Sequence, residues 1–290
     1  MAIAPDSRLR IHGRAFAVRK TVDKLAAIVM GAFAVLTVTV LALILSHVVA
    51  KGASYISWDF LTSMPAPAGE EGGGVAHAIV GSFIIVGVAT LIAVPIGVGA
   101  SIFLSEFPNA FLVRPIRFIA EILTGVPSIV TGLVVFTLVV QPMGHFSGLA
   151  GSVAYAFIMI PIIVITGQES LRLVPTTLRE ASLALGVPRW RMILLIVLPT
   201  ASRALITGLV LAVARALGET APLMFTAFGN SFFELDILRP MATLPLVIFR
   251  YATGPYEDQH AQAWAAAFIL VVMVLIASIL TRLAVRNRND

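Results

Sequence analysis

Residues Glu180–Pro199 read E-A-S-L-A-L-G-V-P-R-W-R-M-I-L-L-I-V-L-P, a charged, helix-forming insert between two long apolar stretches. Its punctuation predicts local structure. Pro175 starts a turn, and Thr177-x-x-Glu180 has the form of a capping box, in which the Thr and Glu side chains cap a helix N-terminus reciprocally. Gly186 is placed to end that helix as a left-handed C′ residue. Pro188 follows in the first turn of the next helix, where its missing N–H costs nothing. The spacing predicts two short helices joined at Gly186, with Arg179, Arg189, Trp190 and Arg191 on their polar surfaces. On the residues alone, an amphipathic helix lying on anionic lipid accounts for such a segment.

The surroundings of that insert set the class. The chain has 290 residues, of which 59% are hydrophobic and 12% charged, and a mean hydropathy of +0.98. A soluble domain carries about 25% charged residues, whereas a bilayer core needs ~20 consecutive apolar residues per helix. Leu25–Ala50, Gly72–Ser105, Ile122–Gln168 and Ala261–Thr281 contain no charge, and Ala204–Phe228 carries only Arg215 and Glu219. Within Ile122–Gln168, Gln141-Pro142-Met143-Gly144-His145 reads as a tight turn between spans. Six transmembrane helices are expected, over residues 25–50, 76–104, 118–140, 148–168, 200–226 and 262–284. Residues 1–24 form a basic N-terminal segment, 25–284 the membrane domain with a loop over 169–199, and 285–290 a tail.

Cytoplasmic loops retain Lys and Arg. With the N-terminus inside, Arg8, Arg10, Arg14, Arg19, Lys20 and Lys24 fall inside, as do Arg114, Arg117, Arg172, Arg179, Arg189, Arg191, Arg203, Arg282, Arg286 and Arg288. The outside loops hold Lys51, Arg239 and Arg250 against Asp59, Glu70, Glu71, Glu234, Asp236, Glu257 and Asp258. Both termini are expected in the cytoplasm, the chain being a multi-pass membrane protein. The same bias explains the net charge of +5 without invoking nucleic acid.

Several chemistries lack their residues. With no cysteine there is no disulfide or thiolate site. His12, His47, His77, His145 and His260 are scattered singly, without the pairing of a metal cluster. No G-x-x-x-x-G-K-[ST] is present, and Gly72-Gly73-Gly74 has no following Lys. The N-terminal apolar run is longer than the ~7–15 residues of a signal-peptide core. If the chain transports actively, another polypeptide hydrolyses ATP.

Arg215-Ala-Leu-Gly-Glu219-Thr220 lies inside the expected fifth span. A charge at membrane depth costs at least ~2.5 kcal/mol and marks a functional site by default. At i,i+4 the two side chains share a helix face and neutralise each other. The Arg fork also fits phosphate or carboxylate bidentately. A structural ion pair and an anion contact are both open on chemistry alone. An intramembrane enzyme using Glu219 as acid or base would lack a nucleophile, a His partner or a metal set. Pro95 with Gly97 and Gly99, and Pro127 with Gly125, are expected to kink or thin the second and third spans, with packing the plainer explanation. Arg117 and Glu121 form an i,i+4 pair, and Leu238–Phe249 reads as a re-entrant or surface helix.

In six of seven fixed positions over twenty residues the opening segment resembles the EAA loop of membrane subunits of bacterial ABC importers, E-A-A-x₃-G-x₉-I-x-L-P, with Ser182 in place of the third-position Ala. Arg215–Ala221, R-A-L-G-E-T-A, followed by Pro222-Leu223, resembles the fifth-helix signature of PstA-type permeases of phosphate ABC importers. Pro67–Val80, Leu123–Gly132 and Leu244–Arg250 with Trp264 agree, and the similarity covers roughly residues 55–285. His77 departs from the Asn expected at its place. The resemblance implies an all-α integral membrane protein of the type I ABC importer permease fold, located in the bacterial plasma (inner) membrane. It implies that Glu180, Ala181, Ser182, Gly186 and Arg189 couple to an ATPase, and that Arg215, Glu219 and Thr220 lie on the substrate pathway. It further implies a second permease (PstC-type), an ATPase dimer (PstB-type) that binds ATP and Mg²⁺, and an external phosphate-binding protein (PstS-type), with no cofactor in this chain. The same fold carrying sulfate, molybdate or another solute is the alternative.

Overall fold

The computed structural model describes residues 13–67, 69–70 and 72–286. Arg8, Arg10, His12, Glu71, Arg288 and most of the tail over 285–290 lie outside the described residues. The chain divides into residues 1–50 and 51–290. In the first unit, α1 (Gly13–Gly52) is one helix of 40 residues, about 60 Å long at 1.5 Å per residue. Arg19, Lys20 and Lys24 lie on its opening turns.

In the second unit, α2 (Trp58–Thr62) is capped by Ser57, whose Oγ accepts from Phe60 N–H at 3.0 Å. The long helices are α3 (Ala76–Glu106), α4 (Val113–Gly125), α5 (Ser128–Met143) and α6 (Gly148–Arg172). The short α7 (Thr176–Ala184) leads to α8 (Arg189–Leu217), followed by α9 (Ala221–Met224), α10 (Leu244–Ala252) and α11 (Glu257–Arg286). Among the described residues, five helices are long and apolar enough to cross a membrane, and α4 with α5, bent by 110°, count as a sixth when taken together as one broken span.

That bend is sharper than a kink. Val126, forced to extended backbone by the following proline, has φ −68° and ψ 128°, and Pro127 supplies no N–H to continue the α4 ladder. Pro95 acts differently: α3 continues through it for 31 residues. The helix pair α3 and α6 forms the centre of the unit, packing Ile85, Ala89 and Ala93 with Tyr155, Met159 and Ile163, and joined there by Ala212, Ala216 and Leu217 of α8. Small residues let the backbones close up, as expected where lipid offers no hydrophobic drive between helices. A Cβ on Gly97 would lie 2.7 Å from Ile163 Cγ2, and one on Gly167 would lie 2.7 Å from Ser101 Oγ. Gly99 and Gly125 face open space. The helix α10 is anchored by buried Leu244 and Val247, and Leu244 N–H donates to Ser82 Oγ at 2.9 Å.

Gly97→Val is expected to destabilise the protein by about 1–3 kcal/mol through overpacking. Gly87→Ala, where nothing lies within 4 Å, should be neutral or slightly stabilising. Thermal unfolding of the purified protein in detergent checks both.

Candidate functional site

The α7–α8 hairpin differs from the expected capping box. Pro175 is the N-cap of α7, no side chain caps the helix, and Glu180 is exposed. Pro175 already fixes the entering backbone (φ −57°), so the first turn begins one residue before Thr177. The C-terminus follows expectation. Gly186 has φ +76°, its N–H donates to Leu183 C=O at 3.0 Å, and Val187 N–H donates to Ser182 C=O at 3.2 Å. These are the paired bonds of a Schellman ending. Ser182 is buried and its Oγ donates to Leu178 C=O at 2.6 Å. Pro188 is the N-cap of α8, which runs unbroken to Leu217 through a π turn over Ile193–Val197. The second short helix is thus the first turn of the fifth span.

Arg179 is not on the polar surface. Its Nε donates to both Glu106 oxygens at 3.2 Å and Nη2 to Glu106 Oε1 at 2.8 Å. Nη2 also donates to Leu171 C=O at 2.8 Å and Nη1 to Val174 C=O at 2.5 Å. The side chains are 17% and 6% exposed, so the guanidinium is spent inside the fold. Arg189 is exposed, its guanidinium 5.9 Å from the Phe107 ring centroid, and Arg191 lies over Trp190 at 5.0 Å. Between the α3–α4 connection and the hairpin lies a cavity of about 530 Å³ lined by Glu106, Phe107, Arg172, Thr176, Arg179 and Arg189. Leu183, Leu185 and Trp190 are exposed beside Glu180 and Ala181, an apolar surface on a hairpin otherwise rich in Arg.

The second locus is Arg215. Its Nη2 lies 3.4 Å from Glu219 Oε1, so the ion pair forms, with side chains 55% and 20% exposed. They do not share a helix, however. Leu217 ends α8, Gly218 is its C-cap, and Glu219 lies in the gap before α9, for which Thr220 is the N-cap. The pair therefore spans a helix end, where a cation also meets the free carbonyls favourably. Arg215 lines a small cavity of about 40 Å³ with Thr124, Val126, Ser128, Ile158 and Ile162. Ile158 and Ile162 flank the middle of α6, so Arg215 lies level with the centre of that span. The bend between α4 and α5 lies at the same level.

Two contacts hold the interrupted helices. Buried Tyr155 donates its hydroxyl to Glu219 C=O at 2.6 Å. Gly132 of α5 packs so closely on Pro222 of α9 that a Cβ would reach Pro222 Cα at 2.7 Å. Sequence reasoning missed Tyr155 and Glu106; the signal for Glu106 was a lone charge closing a long apolar run, and for Tyr155 a hydroxyl within one. His77 is buried in the first turn of α3 with Nδ1 lacking a partner. No cluster of His, Cys, Asp or Glu fit for a metal ion occurs among the described residues.

The family described as binding-protein-dependent transport system inner membrane component matches residues 93–289. A Yersinia pestis protein named phosphate transport system permease protein PstA is 44% identical over 82% of this chain and 81% of its own. The Haemophilus influenzae protein of that name is 44% identical over 85% and 87%. The chain belongs to the PstA-type permeases of this family. Its relatives are named as permeases, not enzymes, and it is a multi-pass inner-membrane component. The fold is that of type I ABC importer permeases: an inward-facing MetNI methionine ABC transporter chain superposes with a TM-score of 0.60 at 20% identity, over 75% of this chain and 95% of that one. An amino acid ABC transporter chain gives 0.53 at 18%, over 72% and 92%.

Tyr155→Phe should lower stability by about 1 kcal/mol, the net worth of an ordinary hydrogen bond, and more if Glu219 C=O is left dry. Chemical denaturation in detergent measures it.

Proposed function

We propose that this chain is the membrane permease subunit of an ATP-driven importer of inorganic phosphate. It would form half of the translocation pathway, beside a second, related permease. Both termini and the α7–α8 hairpin would face the cytoplasm, where an ATPase dimer carries ATP and Mg²⁺. An external binding protein would deliver phosphate at the opposite face.

The observation that carries the pathway is Arg215 at the mid-depth of the bundle, where two spans are interrupted. Irregular backbone at that depth is tolerated only inside protein or beside a water-filled passage. A guanidinium there offers a planar fork to a tetrahedral oxyanion. Its partner Glu219 competes for the same donors, which keeps anion affinity weak enough for release. The names of the relatives favour phosphate among the oxyanions.

Docking of the ATPase at the hairpin is supported by exposed Glu180, Ala181, Leu185, Arg189 and Trp190 around the rigid Gly186 turn. Closure of the ATPases would push this hairpin, and α8 would carry the movement into the membrane because it continues without a break. Gly186→Val places a β-branched residue at φ +76°, a strain of roughly 1–2 kcal/mol from the backbone alone. It should leave membrane insertion intact and uncouple ATP hydrolysis from uptake. Normal phosphate uptake by Gly186→Val in a strain lacking the native subunit contradicts the docking assignment.

Arg215→Gln should abolish phosphate uptake while the complex still assembles. The double variant Arg215→Gln with Glu219→Gln separates the two roles of the pair. Removing both charges of a purely structural bridge is close to neutral, so uptake would return. If Arg215 meets the anion, the double variant stays inactive. Uptake assays with competing sulfate and molybdate, run beside it, report which oxyanion the pathway accepts.

A further inference from the structure

The ion pair between Arg179 and Glu106 joins three helices that are separate in sequence, and nothing in the EAA pattern requires it. We propose that Arg179 and Glu106 are positioning residues for coupling: they clamp the ATPase-docked helix α7 to α3 and α6, so that those two helices move with it. The proposal rests on the docking of the ATPase at α7–α8.

Covalent continuity already accounts for α8. Its first turn, Arg189–Met192, is part of the same helix as Leu217, so displacing that turn displaces the span. The helix α7 has no such continuity. Leu173, Val174 and Pro175 separate it from α6, and Glu106 is 73 positions from Arg179. The guanidinium bridges both gaps at once: it holds the carboxylate of the last residue of α3, and it holds Leu171 C=O at the end of α6 and Val174 C=O in the turn. A Lys could not reproduce this, because its three donors radiate from one nitrogen rather than a planar fork.

The placement of Glu106 argues for a purpose beyond stability. A carboxylate at a helix C-terminus opposes the helix dipole. Its burial adds a desolvation cost that a paired Arg offsets only when its geometry is good and its donors are satisfied. Here the donors are satisfied and the geometry is bidentate, which yields a stiff, oriented connection between parts that an apolar contact would allow to slide. Beyond the clamp the path continues through packed elements. Gly97 against Ile163 and Gly167 against Ser101 lock α3 to α6, and α6 presents Ile158 and Ile162 to the small cavity of Arg215. A push on α7 is thereby delivered to the wall of the proposed phosphate pathway from a second side, opposite in chain order to the push through α8.

The test uses the complete complex in proteoliposomes and reads three quantities: complex yield, ATP hydrolysis, and phosphate moved per ATP. Glu106→Gln and Arg179→Gln should assemble and hydrolyse ATP, while phosphate moved per ATP falls at least about five-fold, the low end of ordinary coupling between sites. The chain contains no cysteine, so Glu106→Cys with Arg179→Cys can be bridged by a short bis-maleimide on an otherwise thiol-free subunit. Bridging should restore the ratio that the unbridged pair has lost. An unchanged ratio in Glu106→Gln, or a bridged pair no better than the unbridged one, overturns the clamp. Should Arg179→Gln not assemble, Glu106→Gln and the bridged pair still decide. Gly186→Val in the same vesicles reports the docking assignment separately. If it uncouples while Glu106→Gln does not, the clamp alone is wrong; if it transports normally, the docking assignment has failed first.

Discussion

Everything in this molecule answers to one constraint: in a hydrocarbon medium every backbone N–H and C=O must find its partner within the protein. Most of the chain meets it with uninterrupted helices, including α3, which runs through Pro95. The exceptions are confined. The third span breaks at Val126-Pro127 and the fifth at Gly218–Thr220. Both breaks are enclosed by tight packing of Gly132 on Pro222 and by the hydroxyl of Tyr155 on Glu219 C=O. The proposed pathway is placed at these two adjacent breaks, where the guanidinium of Arg215 lines a small cavity.

The other end of the bundle follows a different logic. The α7–α8 hairpin shows apolar and charged side chains to the outside, while its inner side is secured by an apolar cluster of Leu171, Val174, Met192 and Val197, and by Arg179. Its turn is fixed by Gly186, since a left-handed residue with both Schellman bonds leaves the chain little freedom to flex there. The result is a hairpin with a fixed turn. One arm is continuous with a membrane span, and the other is held by an ion pair to the ends of two more.

Much of this was legible in the sequence, for physical reasons. Hydropathy and charge bias locate the spans because the bilayer selects on composition, and Gly186 announces its backbone because few other residues tolerate it. The third span shows where that reasoning weakens. Gly125 and Pro127 signal an interruption, but whether the helix continues through its Pro, as at Pro95, or breaks there with a bend of 110° depends on what packs around the freed backbone. Arg215 and Glu219 were correctly paired at i,i+4 yet misplaced on one helix, because Gly218 ends α8 between them. Arg179 looked like a surface residue because its partner Glu106 lies in another segment. Distances across 73 positions are not written in local spacing. The capping box failed for the opposite reason: the local pattern was present, but Pro175 had already set the start of the helix.

The central claim is that this chain, with its partner subunits, moves phosphate at the expense of ATP. The direct measurement is ATP hydrolysis and radiolabelled phosphate uptake by the reconstituted complex in proteoliposomes, with the external binding protein loaded in turn with phosphate, sulfate and molybdate. The account predicts that only the phosphate-loaded protein stimulates hydrolysis and that phosphate accumulates inside, undiminished by excess sulfate. Stimulation and accumulation with sulfate or molybdate in place of phosphate contradict it.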